Sequence, residues 1–197
     1  MSMLEKQDLA QSTHPVPQEA VQPRLHPSRD IMEAIQSGDL RADALLQSFA
    51  YFAVEGHWFS VWNLADSLKR EVSILFDVQG YVWVDIGTIG MVRLSPPIGS
   101  QLPLRLWVHT HPWNAYWSET DRRTLATVSG ILDEALVLGH DHLIRAVGDT
   151  PGPNRLNRKL STTSPLAYWS DEEPMSYEAM REEQAVSYTH LTLPTKA

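Results

Sequence analysis

Hydrophobic spacing along the chain changes period at about residue 70 and again near residue 118. Before residue 70 the spacing is helical. Ile31 to Gln36 predict a short helix that Gly38 ends. Asp39 is placed to cap a second helix, in which Leu40, Leu45, Leu46, Phe49 and Phe52 recur at helical intervals. Gly56 interrupts, and Trp58, Phe59, Val61, Trp62, Ala65 and Leu68 then share one broad face. Lys69 and Arg70 suit the negative pole of that helix. From residue 71 the period becomes that of a strand. Residues 71–78 and 81–85 read as two strands about a Gln79-Gly80 turn, 91–94 as a third that Pro96-Pro97 ends, and 104–109 as a fourth. The breaks between them are short, so the sheet is expected to be mixed or antiparallel. Ser118 opens a helix whose stripe runs Leu125, Val128, Leu132 and Leu136 to a stop at Gly139. Residues 142–147 return as a strand, and 155–160, after a Pro151–Asn154 turn, are expected to form another.

The ends of the chain lack this patterning. Residues 1–29 are polar, contain Pro15, Pro17, Pro23 and Pro27, and are expected to be a disordered tail. Residues 30–170 form the expected domain, and 171–185 an acidic tail with a possible short helix. Residues 186–197 resemble a translated sequencing-adapter read-through and are expected to lie outside the natural fold.

Composition narrows the chemistry. The 197 residues hold no Cys, which removes disulfides, thiolate metal sites and Cys nucleophiles, so any metal must sit on His and carboxylate. A formal charge of −8 argues against broad nucleic-acid binding, which needs basic surface. With no apolar run of membrane-spanning length and no leader-like segment, the expected location is the cytoplasm, away from membranes.

The most informative stretch is Trp107-Val108-His109-Thr110-His111-Pro112, followed by an aromatic loop and Ser118-Glu119-Thr120-Asp121. Alternate residues of a strand share a face, so His109 and His111 point the same way, and Pro112 ends the strand. A side chain in the first turn of a helix leans back toward the helix start, which brings Asp121 toward the two imidazoles. Two His and a carboxylate are the ligand set of a catalytic zinc. Ser118-x-x-Asp121 also fits a capping box, and the two readings are compatible, since a cap would hold Asp121 in place. His140-Asp141-His142 has no third ligand nearby and reads as a turn at a helix end. Trp113, Tyr116 and Trp117 either pack the loop onto the core or form an aromatic wall for an extended peptide.

These residues resemble the JAMM (MPN+) motif of metal-dependent isopeptidases and deubiquitinases: His109-x-His111-Pro112, then Ser118-x-x-Asp121. The likeness covers roughly residues 58–147. It implies an α/β fold, a JAB1/MPN-like three-layer α-β-α sandwich with a mixed sheet, similar to that of cytidine deaminases. It implies Zn2+ on His109, His111 and Asp121, a Glu as general acid/base, and Ser118 at the oxyanion. Glu71, at the start of a strand that follows a helix, stands in the setting of the family's Glu; Glu55 is the alternative. The His111-to-Ser118 loop is one residue shorter than the usual family spacing, and the Glu71-to-His109 gap is also short. The implied activity is hydrolysis of amide or isopeptide bonds, with a ubiquitin-like or small modifier protein, or a peptide, as substrate. The competing reading is a non-catalytic MPN-like scaffold that binds partners. A barrel hydrolase with His-x-His near its start is excluded by length.

Overall fold

A computed structural model describes residues 19–87, 94, 97–148, 169–171 and 173–191. Among these the chain forms five helices and a mixed seven-stranded sheet. Three helices come first: α1 (Ser28–Ser37), α2 (Asp43–Val54) and α3 (Trp58–Leu68). Gly38 closes α1 in the left-handed conformation expected of a C-terminal glycine. Asp39 does not cap α2. Ala42 holds that position, and the Asp39 carboxylate instead accepts from the Arg41 backbone N–H.

The strands β1 (Val72–Asp77), β2 (Val82–Ile86) and β3 (Leu104–Thr110) follow, then α4 (Glu119–Val128), β4 (Leu132–Leu138) and β5 (His142–Gly148). The order across the sheet is β2-β1-β3-β4-β5-β6, where β6 is Trp169–Asp171 and β7 (Met175–Ser176) also pairs with β5. The β3–β4 pair is parallel, and every other pairing is antiparallel. The expected strand over 91–94 lies outside the described residues except for Leu94, which is in no strand; that over 155–160 lies outside them altogether.

Each face of the sheet carries its own core. Val72, Ile74, Val108, Leu136 and Leu138 pack with α1, α2, α3 and Met180 on one face. Leu75, Trp107, Ala135, Val137 and Ala146 pack with Leu125 and Val128 of α4 on the other. No helix among the described residues is long and apolar enough to cross a membrane.

Two expectations are corrected. The stripe Leu125–Val128–Leu132–Leu136 is not one helix: α4 stops at Val128, and Leu132 and Leu136 belong to β4. Ala135 to Leu138 are fully buried, covered on both faces, so the strand shows no polar alternation and is indistinguishable by spacing from a buried helix. Leu136→Ala is therefore expected to destabilise the protein by about 2–5 kcal/mol, read from denaturant unfolding, because the cavity opens in a two-sided core.

The second correction concerns the tails. Residues 19–27 are part of the fold: the Val21 N–H donates to Val82 O at the sheet edge, and the Arg24 N–H to Gln47 O. Residues 171–185 are not a tail either. They supply the end of β6, all of β7 and the start of α5 (Tyr177–Leu191), which buries Met180 against the helical layer. The backbone of α5 continues through residues 186–191, and 192–197 lie outside the described residues.

Candidate metal centre

His109 and His111 lie where β3 ends. Both are buried, on the face that carries Trp107. The backbone on either side of His111 is fixed twice. Its N–H donates to Leu138 O at 2.8 Å, which extends the β3–β4 ladder by one bond, and its carbonyl accepts from Trp62 Nε1 at 2.9 Å. Asp121 arrives from the other side, on the first turn of α4. The capping box forms in full: the Ser118 hydroxyl accepts from the Asp121 N–H, and the Asp121 carboxylate accepts from the Ser118 N–H. The cap reading of Ser118-x-x-Asp121 is met by this geometry, and the cap leaves Asp121 beside the two His.

Three ligand atoms converge. The two Nε2 atoms are 3.1 Å apart, His109 Nε2 is 3.3 Å from Asp121 Oδ1, and His111 Nε2 is 3.4 Å from Asp121 Oδ2. A tetrahedron with metal–ligand bonds of about 2.0–2.1 Å has edges of roughly 3.3–3.4 Å. The spacing therefore suits three vertices of one. These three residues form a buried group that could hold a metal ion.

Protonation favours the same end. Burial lowers the proton affinity of His109, outweighing the opposing pull of Asp121. Burial would raise that of Asp121, but hydrogen bonds from His109, His111 and Ser118 outweigh it and hold the carboxyl well below the usual range. A neutral imidazole and a carboxylate are the forms in which these side chains bind a cation.

The second layer is aromatic. Metal-binding His side chains ordinarily hydrogen-bond through the remaining ring nitrogen. Here Nδ1 of both His109 and His111 is buried without a hydrogen-bond partner among the described residues. Packing orients the rings instead. His109 stacks on Trp107 at 4.6 Å and meets Trp117 at 5.7 Å, while Tyr116 meets His111 edge-on at 4.6 Å. Trp107 is itself tied by its Nε1–H to the Ser73 hydroxyl of β1.

Glu71 is buried one residue before β1. Ser73 pairs with His109, so the same register carried two residues outward sets Glu71 across from His111, on the face of Ser73 and Leu75. Glu55 lies elsewhere. It is exposed at the end of α2, beside a cavity lined by Phe76, Arg105 and Leu106 from the opposite end of the β1–β3 pair. The structure thus brings His109, His111, Asp121 and Ser118 into contact, puts Glu71 at the same sheet end, and separates Glu55 from them.

Ser118 is bonded to the carboxylate that it caps. Its hydroxyl donates to Asp121 Oδ2 at 2.6 Å, so it is committed to the carboxylate. Ser118→Ala is expected to cost about 0.5–2 kcal/mol of stability through the lost cap, and to weaken zinc binding measured by chelator competition. Trp62, Ser73 and Trp107 support the centre yet read from sequence only as core or strand. Their bonds join residues 49 and 34 positions apart, and local spacing carries no signal of such pairings.

Comparisons with protein-family models, curated proteins and solved structures return no match for this chain.

Proposed function

We propose that the protein is a zinc-dependent hydrolase of JAMM type that cleaves amide or isopeptide bonds, with a ubiquitin-like or other small protein modifier on the acyl side. The observation that carries the reading is the convergence of His109 Nε2, His111 Nε2 and the Asp121 carboxylate at 3.1–3.4 Å, in the order and on the elements that the JAMM motif implies. The α-β-α layering and the parallel β3–β4 pair beside the site are compatible with a JAB1/MPN-like fold.

Zinc held there supplies Lewis acidity, which lowers the pKa of water toward neutrality and draws off negative charge developing on a carbonyl oxygen. Glu71 takes the proton of the attacking water and later gives it to the leaving nitrogen, so one carboxylate serves as base and then acid. Asp121 stays ionised, held by Ser118. Ser118 reaches an oxyanion only by giving up its bond to Asp121, so its first role in this reading is to orient that ligand. The test is zinc content together with cleavage of isopeptide-linked di-ubiquitin and of smaller ubiquitin-like conjugates. One zinc per chain, with cleavage lost to a chelator and restored by zinc, is expected. A folded chain that takes up no zinc overturns the reading.

A further inference from the structure

The pair His140 and His142 lies outside the group of His109, His111 and Asp121, His140 in the turn from β4 to β5 and His142 at the first position of β5, and it meets the loop between His111 and Ser118. The His140 N–H donates to Trp113 O at 2.6 Å. The His142 ring lies between two acceptors, with Nδ1 2.6 Å from Asp141 Oδ1 and Nε2 3.2 Å from Ala115 O; it donates to both only when both ring nitrogens carry a proton, and to Ala115 O whenever Nε2 does. Gly139 lets the two backbones approach, since a Cβ there would run into Asn114 and Ala115. The turn is anchored in its own right. The Gly139 N–H donates to His142 O, and the Tyr177 hydroxyl of α5 donates to Gly139 O.

The loop is thus gripped at two carbonyls two residues apart, although Trp113 and Tyr116 are themselves 78% and 55% exposed. Just beyond the second grip come the residues that shape the metal group. Tyr116 packs on His111, Trp117 packs beside His109, and Ser118 caps the helix that brings Asp121. Among the described residues neither imidazole has a partner at Nδ1, so packing orients the rings: the loop supplies Tyr116 against His111 and Trp117 against His109, while Trp107 of β3 stacks on His109.

We propose that His142 is a positioning residue of the metal centre: its Nε2, by holding Ala115 O, fixes the loop that sets the ligand rings and Asp121. The inference rests on reading His109, His111 and Asp121 as metal ligands. A ligand set assembled in advance spares the ion the cost of ordering the loop, and support of this kind is typically worth about 10–100-fold in metal affinity.

The test uses zinc alone, with affinity measured by competition against a chromophoric chelator. His142→Gln sets an amide N–H where Nε2 stood, whereas His142→Asn replaces only Nδ1. His142→Gln is expected to bind zinc within about threefold of wild type, and His142→Asn and His142→Ala about 10–100-fold more weakly. The visible ligand-field band of Co2+ in the site is expected to change in the Asn and Ala variants and not in Gln. Should the Ala variant fail to fold, the Gln and Asn pair carries the comparison. Equal affinities in wild type, Gln and Asn overturn the proposal, as does an equal loss in Gln and Asn. Absence of zinc uptake by the folded wild type instead overturns the metal reading beneath it.

Discussion

His111→Ala is expected to lose zinc affinity by about 10²–10³-fold and to lose amide hydrolysis with it. The figure follows from the ligand count. Structural zinc sites of four ligands bind with apparent free energies of about 10–16 kcal/mol, so one ligand accounts for roughly 2.5–4 kcal/mol. The imidazole can be removed without disturbing the sheet, because the bonds His111 makes to Leu138 and Trp62 run through its backbone. The variant should therefore fold, which separates loss of metal from loss of structure. A second measurement makes the separation explicit. Zinc at 100 times its Kd adds about 2.7 kcal/mol to the stability of a protein that binds it only when folded. Wild type is expected to show that gain as a rise in Tm, while His111→Ala at the same zinc concentration should show almost none. If wild type and variant melt alike with and without zinc, the three side chains are not a metal site.

The convergence of His109, His111 and Asp121 was legible because the three lie close in sequence and each rests on a local rule. Strand parity aligned His109 with His111, Pro112 marked the strand end, and the capping box placed Asp121 on the first turn of α4. The supporting structure was less legible, for two physical reasons. The first is that a strand covered on both faces has no alternation to read. Ala135 to Leu138 therefore read as the end of a helix. That error hid the parallel partner of β3, whose Leu138 carbonyl extends the ladder to His111.

The second reason is distance along the chain. Residues 19–27 look like a polar, Pro-rich tail, but Val21 reaches Val82 and Arg24 reaches Gln47. Asp171, Glu172, Glu173, Glu178, Glu182 and Glu183 give residues 171–185 their acidic character, yet Met180 of α5 is buried. The His140-Asp141-His142 turn carried no hint of its neighbour, since the residues it holds begin 27 positions earlier. Helix α4 and the loop before it make the general point. The three residues that converge announce themselves by spacing, whereas the Gly, Trp and His residues that contact their surroundings are brought there by the fold.

Glu71→Gln is expected to lower kcat for amide hydrolysis by about 10²–10⁴-fold, the usual worth of a positioned acid/base group, while zinc content and KM stay near wild type. The substitution keeps the size of the side chain and its capacity to accept a hydrogen bond, but removes its ability to carry a proton between water and the leaving nitrogen. The case for Glu71 is positional. It is buried, it precedes β1, and the pairing of Ser73 with His109 carries it to the level of His111 on the sheet face that holds the ligands. Glu55 makes the matched control. It is exposed at the end of α2, by a cavity lined from the other end of the same strands, so Glu55→Gln should leave both kcat and zinc content unchanged. A rate loss in Glu55→Gln with full activity in Glu71→Gln would reverse the assignment. Full activity in both would mean that the proton is carried by a group other than these two carboxylates, even if zinc is bound as proposed. Loss of zinc in Glu71→Gln would be a different result, placing Glu71 among the groups that hold the metal instead of the group that moves the proton.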